Sequence, residues 1–478
     1  MKNRLVKMIP VVLFPLLTWL ISAPAGLETE TWHMFGLCLS LLCGLILEPF
    51  SEPVISLIVL GLGACFVEKP AVLYSGYAAQ GVWFLLAVLL ACGAFKKTGL
   101  GKRLAYILLS KFGGTKFGRS SLGLGYVMML CDLILSPATG SNTSRSAIVF
   151  PIFRGVSESL GSYPDKDPQK LGGYLELLEH VVAMSTAVLF LTGMASNAVI
   201  ASTIKDIAGV ELTWMLWFKA ALVPGLIVLF LCPLVVYKLY PPQMKDLGDI
   251  KPFVVSKMQE MGAMKKDEKI LLALFIMAIL GWMLGGKIGI SMYVVAFAFL
   301  ALELLLGVMD WNDLMAEKGA WNMYIWYGAF FSISGAINEG GFYSWLSGQI
   351  QNYLDLSAVN GMAVLVILLL ISFVTKYFFV SNAAYIASIY PVILTLAAST
   401  NVNIMALSLM LAFFGGYGAL LCNYGNGASI YIFGNGYVSQ KDWYLKGTIL
   451  LAMILRYSLL SDFRIGKSWA FAKNNEES

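Results

Sequence analysis

Long apolar segments separated by short polar stretches run along almost the whole chain. A helix needs roughly 20 apolar residues to cross the hydrocarbon core of a bilayer, so the pattern predicts a chain that crosses a membrane many times. The predicted helices, with approximate bounds, are 5–23, 31–48, 53–68, 82–108, 175–205, 212–238, 268–286, 288–307, 320–346, 403–436 and 443–461.

Two further apolar segments, 120–156 and 359–397, differ from the rest because each has a polar centre. The first centre contains Ser141-Asn142-Thr143 and the second contains Ser381-Asn382-Ala383. Non-helical backbone at membrane depth is tolerated only where it is buried in protein or lines a cavity. Each segment is therefore predicted to be a re-entrant hairpin, which enters the bilayer and returns on the same side.

The second half of the chain repeats features of the first half in the same order. Residues 93–99 resemble residues 335–341 at an offset of 242, and the two Ser-Asn pairs are offset by 240. Residues 192–197 have a looser counterpart in residues 423–427. Three matches at similar spacing predict an internal repeat.

Basic residues are concentrated in two predicted loops, and this sets the expected topology. The stretch 96–119 holds seven Lys or Arg and no acid, and the stretch 238–269 holds seven lysines against five acids. By the positive-inside rule, both loops and the basic N-terminus face the cytoplasm. The loop 349–360 has no Lys or Arg and is expected outside, so the hairpins would enter from opposite faces. That arrangement is an inverted repeat, which is common among secondary transporters.

Composition agrees with a membrane protein and excludes several other classes. Of the 478 residues, 58% are hydrophobic and 13% are charged, whereas soluble domains average about 25% charged residues. The net charge of +5 comes without a basic stripe interleaved with aromatic residues, so nucleic-acid binding is not expected. No HExxH, GxSxG or Walker-type motif is present, and the chain is therefore predicted not to be an enzyme or an ATP-driven pump. Its cysteines and histidines form no metal-ligand pattern, and no cofactor is predicted.

The hairpin centres have the chemistry of an anion site. A discontinuous helix leaves unpaired N–H groups at one end, where roughly half a positive charge favours a carboxylate. Ser, Asn and Thr side chains add neutral hydrogen-bond donors, and the carbonyl ends of such helices could coordinate Na⁺. The alternative is that these polar residues only bond a neighbouring helix, but two repeat-related copies favour a substrate site.

The motif Ser141-Asn142-Thr143 followed by Ser144-Arg145 and by Pro151-Ile152, with Ser381-Asn382 and Pro391 in the second half, resembles the divalent anion:sodium symporter family. The stretch 424–437 also matches. The details are most similar to the exchanger branch, which comprises bacterial citrate/succinate and tartrate/succinate antiporters and plastid 2-oxoglutarate/malate translocators. The resemblance implies an all-α homodimer with about eleven transmembrane helices and two re-entrant hairpins per chain. A scaffold domain would hold the dimer while a transport domain moves like an elevator.

The resemblance also implies a division of the chain and a set of site residues. The first repeat would comprise scaffold helices (1–119), a transport-domain hairpin and broken helix (120–210) and a closing helix (211–238). A cytoplasmic linker (239–267) would lead to the second scaffold segment (268–358), the second transport segment (359–436), and a last helix with the tail (437–478). The residues implied in substrate binding are Ser141, Asn142, Thr143, Gly193, Ser381, Asn382, Ala383, Cys422 and Asn423. Ala383 stands where the family pattern has Thr, and Cys422-Asn423 stands where sodium-coupled relatives have Thr-Pro.

Two basic residues, Arg145 and Lys376, flank the motifs at membrane depth. A charge there costs at least about 2.5–3.5 kcal/mol on insertion scales. One hypothesis is that their fixed charges replace bound sodium ions and compensate a dianion, which would make the protein an obligatory exchanger. The alternative is that they reach an aqueous cavity, or pair with Asp132 or with the end of a helix.

The sequence therefore predicts a sodium-independent exchanger of C4/C5 dicarboxylates such as succinate, malate or 2-oxoglutarate, in the cell membrane and with a cytoplasmic N-terminus. Its expected partners are the dicarboxylate, lipid and a second copy of the chain. A sodium-coupled di/tricarboxylate symporter and an anion channel are the alternatives. Dependence of uptake on a sodium gradient would distinguish the symporter from the exchanger. Saturable counterflow would distinguish a carrier from the channel.

Overall fold

The computed structural model describes residues 2–353, 360–379, 381–398 and 400–456. These residues form α-helices joined by loops and short 3₁₀ turns, and the described part contains no β-strand. The helices are α1 Lys2–Leu20, α2 Thr29–Leu47, α3 Glu52–Phe66, α4 Gln80–Thr98, α5 Leu100–Phe112, α6 Ser121–Thr139, α7 Asn142–Ser159, α8 Gly172–Leu189, α9 Ser196–Ala208, α10 Trp214–Leu239, α11 Lys251–Met261, α12 Lys266–Leu284, α13 Met292–Leu305, α14 Trp311–Ala316, α15 Lys318–Glu339, α16 Phe342–Tyr353, α17 Gly361–Lys376, α18 Asn382–Ala398, α19 Ile404–Tyr417, α20 Gly427–Phe433 and α21 at 440–456. The predicted end of the last helix and the C-terminal tail lie outside the described residues.

Several helices have the length and apolar character needed to cross a membrane. Five such spans are found in the described part: α2, α4, α10, α12 with the turn after it, and α19 with the turn after it. Large apolar side chains also cover the outer surface; Leu5, Val223 and Leu305 are 69%, 58% and 80% exposed. Soluble monomers rarely show large apolar patches, and these side chains suit contact with lipid.

Two segments predicted as single helices are broken, so those two predictions were wrong. The segment 82–108 is divided into α4 and α5 at Gly99, and 320–346 is divided into α15 and α16 next to Gly341. Both glycines have a positive φ, +80° and +72° respectively, a conformation that ends a helix and that glycine adopts without penalty. Hydropathy continues across both bends and does not reveal them. The repeated motif at 93–99 and 335–341 marks the same bend in each half.

The predicted broken helices are confirmed. Helix α8 ends at Leu189 and is followed by a 3₁₀ turn, Leu191–Gly193, before α9. Helix α19 is followed by the turn Gly418–Leu421, and α20 begins only at Gly427. Each half of the chain thus contains a bent helix pair, a hairpin and a broken helix in the same order, as the repeat predicted.

The best-buried helices lie at the centre of the hairpin region. Every residue of α8 is buried, as are all residues of α19 from Ala406 onward. Burial on every side places both helices in the interior, although α8 also carries the buried Glu176, Glu179 and His180. Helix α8 packs against α6, α7, α10, α19 and α20, while α18 packs against α9 and α19. The hairpins and broken helices of the two halves are therefore interlocked.

The remaining helices pack mainly on one another. Helix α15 contacts α2, α3, α4 and the 3₁₀ turn Pro70–Ala78, and α1 packs on α2. The linker helix α11, not foreseen from sequence, packs on α5. Arg103 anchors α5 there because its Nε donates to Glu268 at 2.7 Å and its Nη1 donates to the Gly262 carbonyl at 2.9 Å.

Candidate functional site

The polar tips of the two hairpins line one cavity of about 480 Å³. We call the side formed by the hairpins and broken helices the hairpin wall; it comprises Thr139, Gly140, Ser141, Asn142, Ser144, Ile148, Met194, Ala195, Ser196, Ser381, Asn382, Ala383, Asn426, Gly427 and Ile430. We call the opposite side the facing wall; it comprises Glu48, Glu52, Leu89, Cys92, Gly93, Lys96, Glu317, Gly319, Ala320, Met323, Trp326 and Tyr327. The fold therefore brings together two motifs that lie 240 residues apart in sequence.

The first tip is a tight turn between α6 and α7. Gly140 ends α6 with φ +53°, and Ser141 follows in an extended conformation. The Ser141 hydroxyl accepts a hydrogen bond from the backbone N–H of Ser144 at 3.2 Å, so it caps α7. Asn142 is the first residue of α7, and its Nδ2 has only a long contact of 3.7 Å with the sulfur of Met184. Much of the donor capacity of this amide remains for a ligand.

The second tip is built in the same way but is held more firmly. The Ser381 hydroxyl accepts from the N–H of Ala384 at 3.3 Å and precedes the first residue of α18. The Nδ2 of Asn382 donates to the Gly415 carbonyl at 2.7 Å and to the Ser196 hydroxyl at 3.3 Å. Both amide hydrogens of Asn382 are therefore committed to the protein.

A glycine permits the chain to fold back at each broken helix. A Cβ on Gly193 would lie 2.5 Å from the Ala187 carbonyl oxygen, and one on Gly425 would lie 2.7 Å from the Ala419 carbonyl oxygen. Only glycine fits so close to the preceding helix. The equivalent contact in both halves explains why glycines lie at these breaks.

Three of the longer helices have their N-terminal ends at the hairpin wall, where the seven-residue α20 also begins, at Gly427. Helix α7 begins at Asn142, α9 at Ser196 and α18 at Asn382, and all three residues line the hairpin wall. Each helix N-terminus carries roughly half a positive charge on its unpaired N–H groups. Their convergence favours an anion in the cavity.

Arg145 lies behind the first tip and is fully satisfied by the protein. It is completely buried, and its Nε donates to both carboxylate oxygens of Asp132 at 3.0 and 2.9 Å. Its Nη1 donates to the Gly193 carbonyl at 3.1 Å, and its Nη2 donates to the Ala183 carbonyl at 2.9 Å. Asp132 therefore neutralises the charge of Arg145, which was one of the two alternatives for this residue.

Lys376 lies behind the second tip and has a different environment. It is completely buried, its Nζ donates to the Gly425 carbonyl at 2.9 Å, and the same atom lies 5.0 Å from the centre of the Tyr385 ring. Among the described residues, no carboxylate lies within 4.0 Å of this ammonium group. Arg145 and Lys376 thus bind the carbonyls of equivalent glycines, but only Arg145 has a counter-charge.

The structure divides the predicted site residues into two groups. Ser141, Asn142, Ser381, Asn382 and Ala383 line the cavity. The others lie outside its lining: Thr143, Gly193, Cys422, Asn423, Arg145 and Lys376.

Two of the residues outside the lining have clear contacts within the protein. The Thr143 hydroxyl packs against Gly427, and the Asn423 carboxamide oxygen accepts from the Tyr444 hydroxyl at 3.0 Å. At the breaks, the cavity is instead reached by residues 194–196 and by Asn426 and Gly427. The predicted loops therefore reach the cavity, but through residues a few positions later than the resemblance implied.

The facing wall contains acidic residues that sequence reasoning did not single out. Glu317 pairs with Lys96 at 3.4 Å. Glu52 begins α3 and accepts a hydrogen bond from the Ser381 hydroxyl at 2.6 Å. Their only sequence signal is an acid at the edge of an apolar segment, which also occurs wherever a helix leaves a membrane.

Fold and cavity together define a multi-pass helical membrane transporter, in which two hairpins and two broken helices form one side of a polar cavity. Residues 2–469 match the family described as the sodium:sulfate symporter transmembrane region. The chain belongs to this family, the divalent anion:sodium symporters, as the motifs predicted. It is a transporter and not an enzyme.

Relatives extend over nearly the full chain. The inner membrane protein YbhI of Escherichia coli K12 is 38% identical, covering 94% of both chains. The L-tartrate/succinate antiporter of E. coli O157:H7 is 30% identical over 90% of this chain and 91% of its own. The chloroplastic dicarboxylate transporter 1 of Spinacia oleracea is 30% identical over 92% of this chain and 77% of its own.

A solved structure has the same fold. The YdaH transporter of Alcanivorax borkumensis aligns with a TM-score of 0.57 at 12% identity, over 98% of this chain and 99% of its own. At this identity the match concerns the fold alone. It agrees with the all-α membrane architecture.

Proposed function

We propose that this protein is a sodium-independent exchanger of C4/C5 dicarboxylates in the cell membrane. The observation that carries the proposal is the convergence of both Ser-Asn tips and three helix N-termini on one cavity. A dicarboxylate has two anionic ends, and the hairpin wall offers two repeat-related sets of donors. Each set would bind one carboxylate through side-chain and backbone N–H or O–H groups.

The substrate class is supported by relatives. The names of two of them refer to tartrate and succinate and to dicarboxylates. A cavity of about 480 Å³ accommodates molecules of this size. Neutral donors and helix ends bind a dianion without the strong attraction of several full charges, which permits release on the other side.

Sodium independence is supported by the positions of the two cations. Backbone carbonyls at a broken helix are the groups that coordinate Na⁺ in transporters of this kind. Here the Gly193 carbonyl accepts from Arg145 and the Gly425 carbonyl accepts from Lys376. Each carbonyl therefore already accepts a hydrogen bond from a basic side chain, which takes the place that a sodium ion would occupy.

Obligatory exchange follows from the charge left by an empty site. Lys376 has no counter-ion among the described residues, and three helix N-termini face the same cavity. A bound dicarboxylate brings negative charge to these groups, and its loss removes that charge from a region where a charge without a partner is costly. The loaded carrier is expected to cross far more often than the empty one.

The proposed motion is that of an elevator within a homodimer. Segments 120–210 and 359–436 would form the moving transport domain, because their hairpins and broken helices interlock around α8 and α19. Segments 1–119 and 268–358 would form the scaffold, with 211–238, the linker 239–267 and 437–478 joining them. The basic residues near the start of the chain favour a cytoplasmic N-terminus.

Reconstituted proteoliposomes test the proposal directly. Vesicles are loaded with unlabelled succinate or left empty, and uptake of labelled succinate is measured with external sodium or with choline in its place. We expect uptake only into loaded vesicles, at equal rates in both media. Accumulation into empty vesicles driven by a sodium gradient would identify a symporter, and flux that does not saturate would identify a channel.

A panel of unlabelled competitors then defines the substrate. Succinate, malate, tartrate, 2-oxoglutarate and citrate are compared with monocarboxylates of similar size. Dicarboxylates should inhibit exchange and monocarboxylates should not, because only dicarboxylates engage both tips. Equal inhibition by monocarboxylates would contradict binding between the two motifs.

A further inference from the structure

A carboxylate of the protein occupies one of the two proposed carboxylate-binding tips. The Ser381 hydroxyl donates to Oε1 of Glu52 at 2.6 Å, a short hydrogen bond between residues 329 positions apart. Glu52 is the first residue of α3, and α3 packs against α2 and α15. The bond therefore joins the hairpin wall to the facing wall across the cavity.

Glu52 and a substrate would compete for the same donor. A serine hydroxyl has one hydrogen and donates it to one acceptor at a time. The Asn382 amide hydrogens are already committed to Gly415 and Ser196. The Ser381 hydroxyl is thus the remaining side-chain donor of the second tip, and Glu52 holds it with the chemical group that a dicarboxylate would present.

The first tip has no equivalent contact. The Ser141 hydroxyl caps α7, and among the described residues no facing-wall carboxylate is bonded to it. Glu317, the acid on the α15 side of that wall, is paired with Lys96. The two tips are therefore unequal before any ligand binds, since one is open and the other is held by a glutamate.

We propose that Glu52 acts as an internal substitute for the substrate carboxylate at the second tip. It holds Ser381 in the empty carrier and must be displaced before the hairpin wall can part from the facing wall. This inference rests on the proposed function. Displacement uses part of the binding free energy of the substrate, so the contact lowers apparent affinity and restrains the empty carrier from crossing.

The test compares Glu52→Ala and Glu52→Gln with the wild type in proteoliposomes. Removing the internal competitor should lower the KM for succinate exchange by about threefold to tenfold, because the second tip would then be open to the substrate in a larger fraction of the carriers. It should also raise the rate of succinate efflux into dicarboxylate-free buffer relative to the rate of exchange. Glu52→Gln, whose amide oxygen is a weaker acceptor, should lie between the wild type and Glu52→Ala.

Two controls separate the hydrogen bond from general charge effects. Glu48→Gln removes a negative charge from the same wall without touching a tip, and should change KM by less than half as much as Glu52→Ala. In a Ser381→Ala background, Glu52→Ala should have no further effect on KM, because the shared bond is already lost. A full effect of Glu52→Ala in that background would overturn the proposal.

The remaining outcomes are also decisive. An unchanged or higher KM in both Glu52 variants, with wild-type exchange intact, would exclude an internal competitor and leave the proposed function standing. Absence of succinate exchange in the wild type would overturn the proposed function itself. If Glu52→Ala does not fold, Glu52→Gln takes its place, and the measurement is the rise in unfolding temperature that succinate causes. This rise should be larger in Glu52→Gln than in the wild type. An equal or smaller rise would overturn the proposal.

Discussion

The two hairpins have the same parts, yet their buried charges are balanced in different ways. Arg145 and Lys376 each bind the carbonyl of an equivalent glycine at a broken helix. Arg145 also has Asp132 at 2.9 Å, whereas Lys376 has the face of Tyr385 at 5.0 Å. The basic side chain of the first hairpin therefore has a carboxylate partner within the hairpin, and that of the second has none among the described residues.

This difference suggests a division of labour between the halves. A buried ion pair with all its hydrogen bonds satisfied holds a local structure in place, and removing one partner leaves a costly charge. A buried cation without a counter-ion is expensive and usually functional. We infer that the Arg145–Asp132 pair fixes the interior of the first hairpin behind its tip, and that Lys376 of the second hairpin is the basic group that responds to a dianion.

The largest predicted effect is the loss of the counter-ion in the first hairpin. Asp132→Ala should lower the free energy of unfolding by about 3–5 kcal/mol, because Arg145 would remain buried and unpaired. Unfolding in detergent, followed by circular dichroism, measures this. The double variant Asp132→Leu with Arg145→Met should recover most of the loss. Lys257→Ala, which breaks the exposed pair with Glu260, is the control and should cost less than about 1 kcal/mol.

Removing the cation of the second hairpin should affect transport more than stability. Lys376→Met should reduce succinate exchange about tenfold or more, equivalent to about 1.4 kcal/mol, since the dianion loses its compensating charge. The free energy of unfolding should fall by less than in Asp132→Ala, because no unpaired charge is left behind. Destabilisation equal to that of Asp132→Ala would contradict the proposed division between the hairpins.

The two asparagines should differ in a smaller but informative way. Asn382→Ala breaks bonds to Gly415 and Ser196 and should cost about 1–2 kcal/mol of stability in addition to raising the KM. Asn142→Ala should raise the KM with a smaller loss of stability, because the Nδ2 of Asn142 has only the 3.7 Å contact with the sulfur of Met184. Exchange kinetics and unfolding on the same preparations provide both values. A normal KM in both variants would remove the paired motifs from the site.

The smallest effect is expected at a pair outside both hairpins. Burial raises the pKa of Asp313, but the hydrogen bonds from Lys97 and from the Asp310 N–H, together with the attraction of the Lys97 charge, outweigh it, and the pKa is lowered overall. This stabilisation is present above the unfolded pKa of about 3.9 and is lost as the pH falls through the lower folded value. Asp313→Asn should cost about 0.2–1 kcal/mol at pH 7, and progressively less as the pH falls below about 3.9. An effect that does not change with pH would exclude the ion pair as its cause.

Much of the fold could be predicted because membrane helices and their interruptions are local features. The polar centre at Ser141-Asn142 interrupts a long apolar segment, and the glycine motif at 93–99 recurs at 335–341. What failed was the location of bends inside apolar segments. A positive φ at Gly99 or Gly341 does not alter hydropathy, so the bends became visible only in the structure.

The candidate site was predicted in part, for a related reason. Ser141 and Asn382 were identified because polar side chains are conspicuous within apolar segments. Glu52 and Ser196 were not, because an acid at a helix start and a serine near a helix break are common in membrane proteins. Their place in the cavity depends on how α3 and α9 pack against the second hairpin.

By itself the sequence determined that this chain is a helical membrane protein with two polar-tipped hairpins in a repeated plan, since hydropathy and backbone-breaking residues act over short distances. Only the tertiary structure decided which charges are neutralised and which groups face the cavity. Asp132 could have paired with either cation as far as composition is concerned, and Glu52 lies 329 residues from Ser381. Such contacts depend on the approach of distant helices, which no local pattern records.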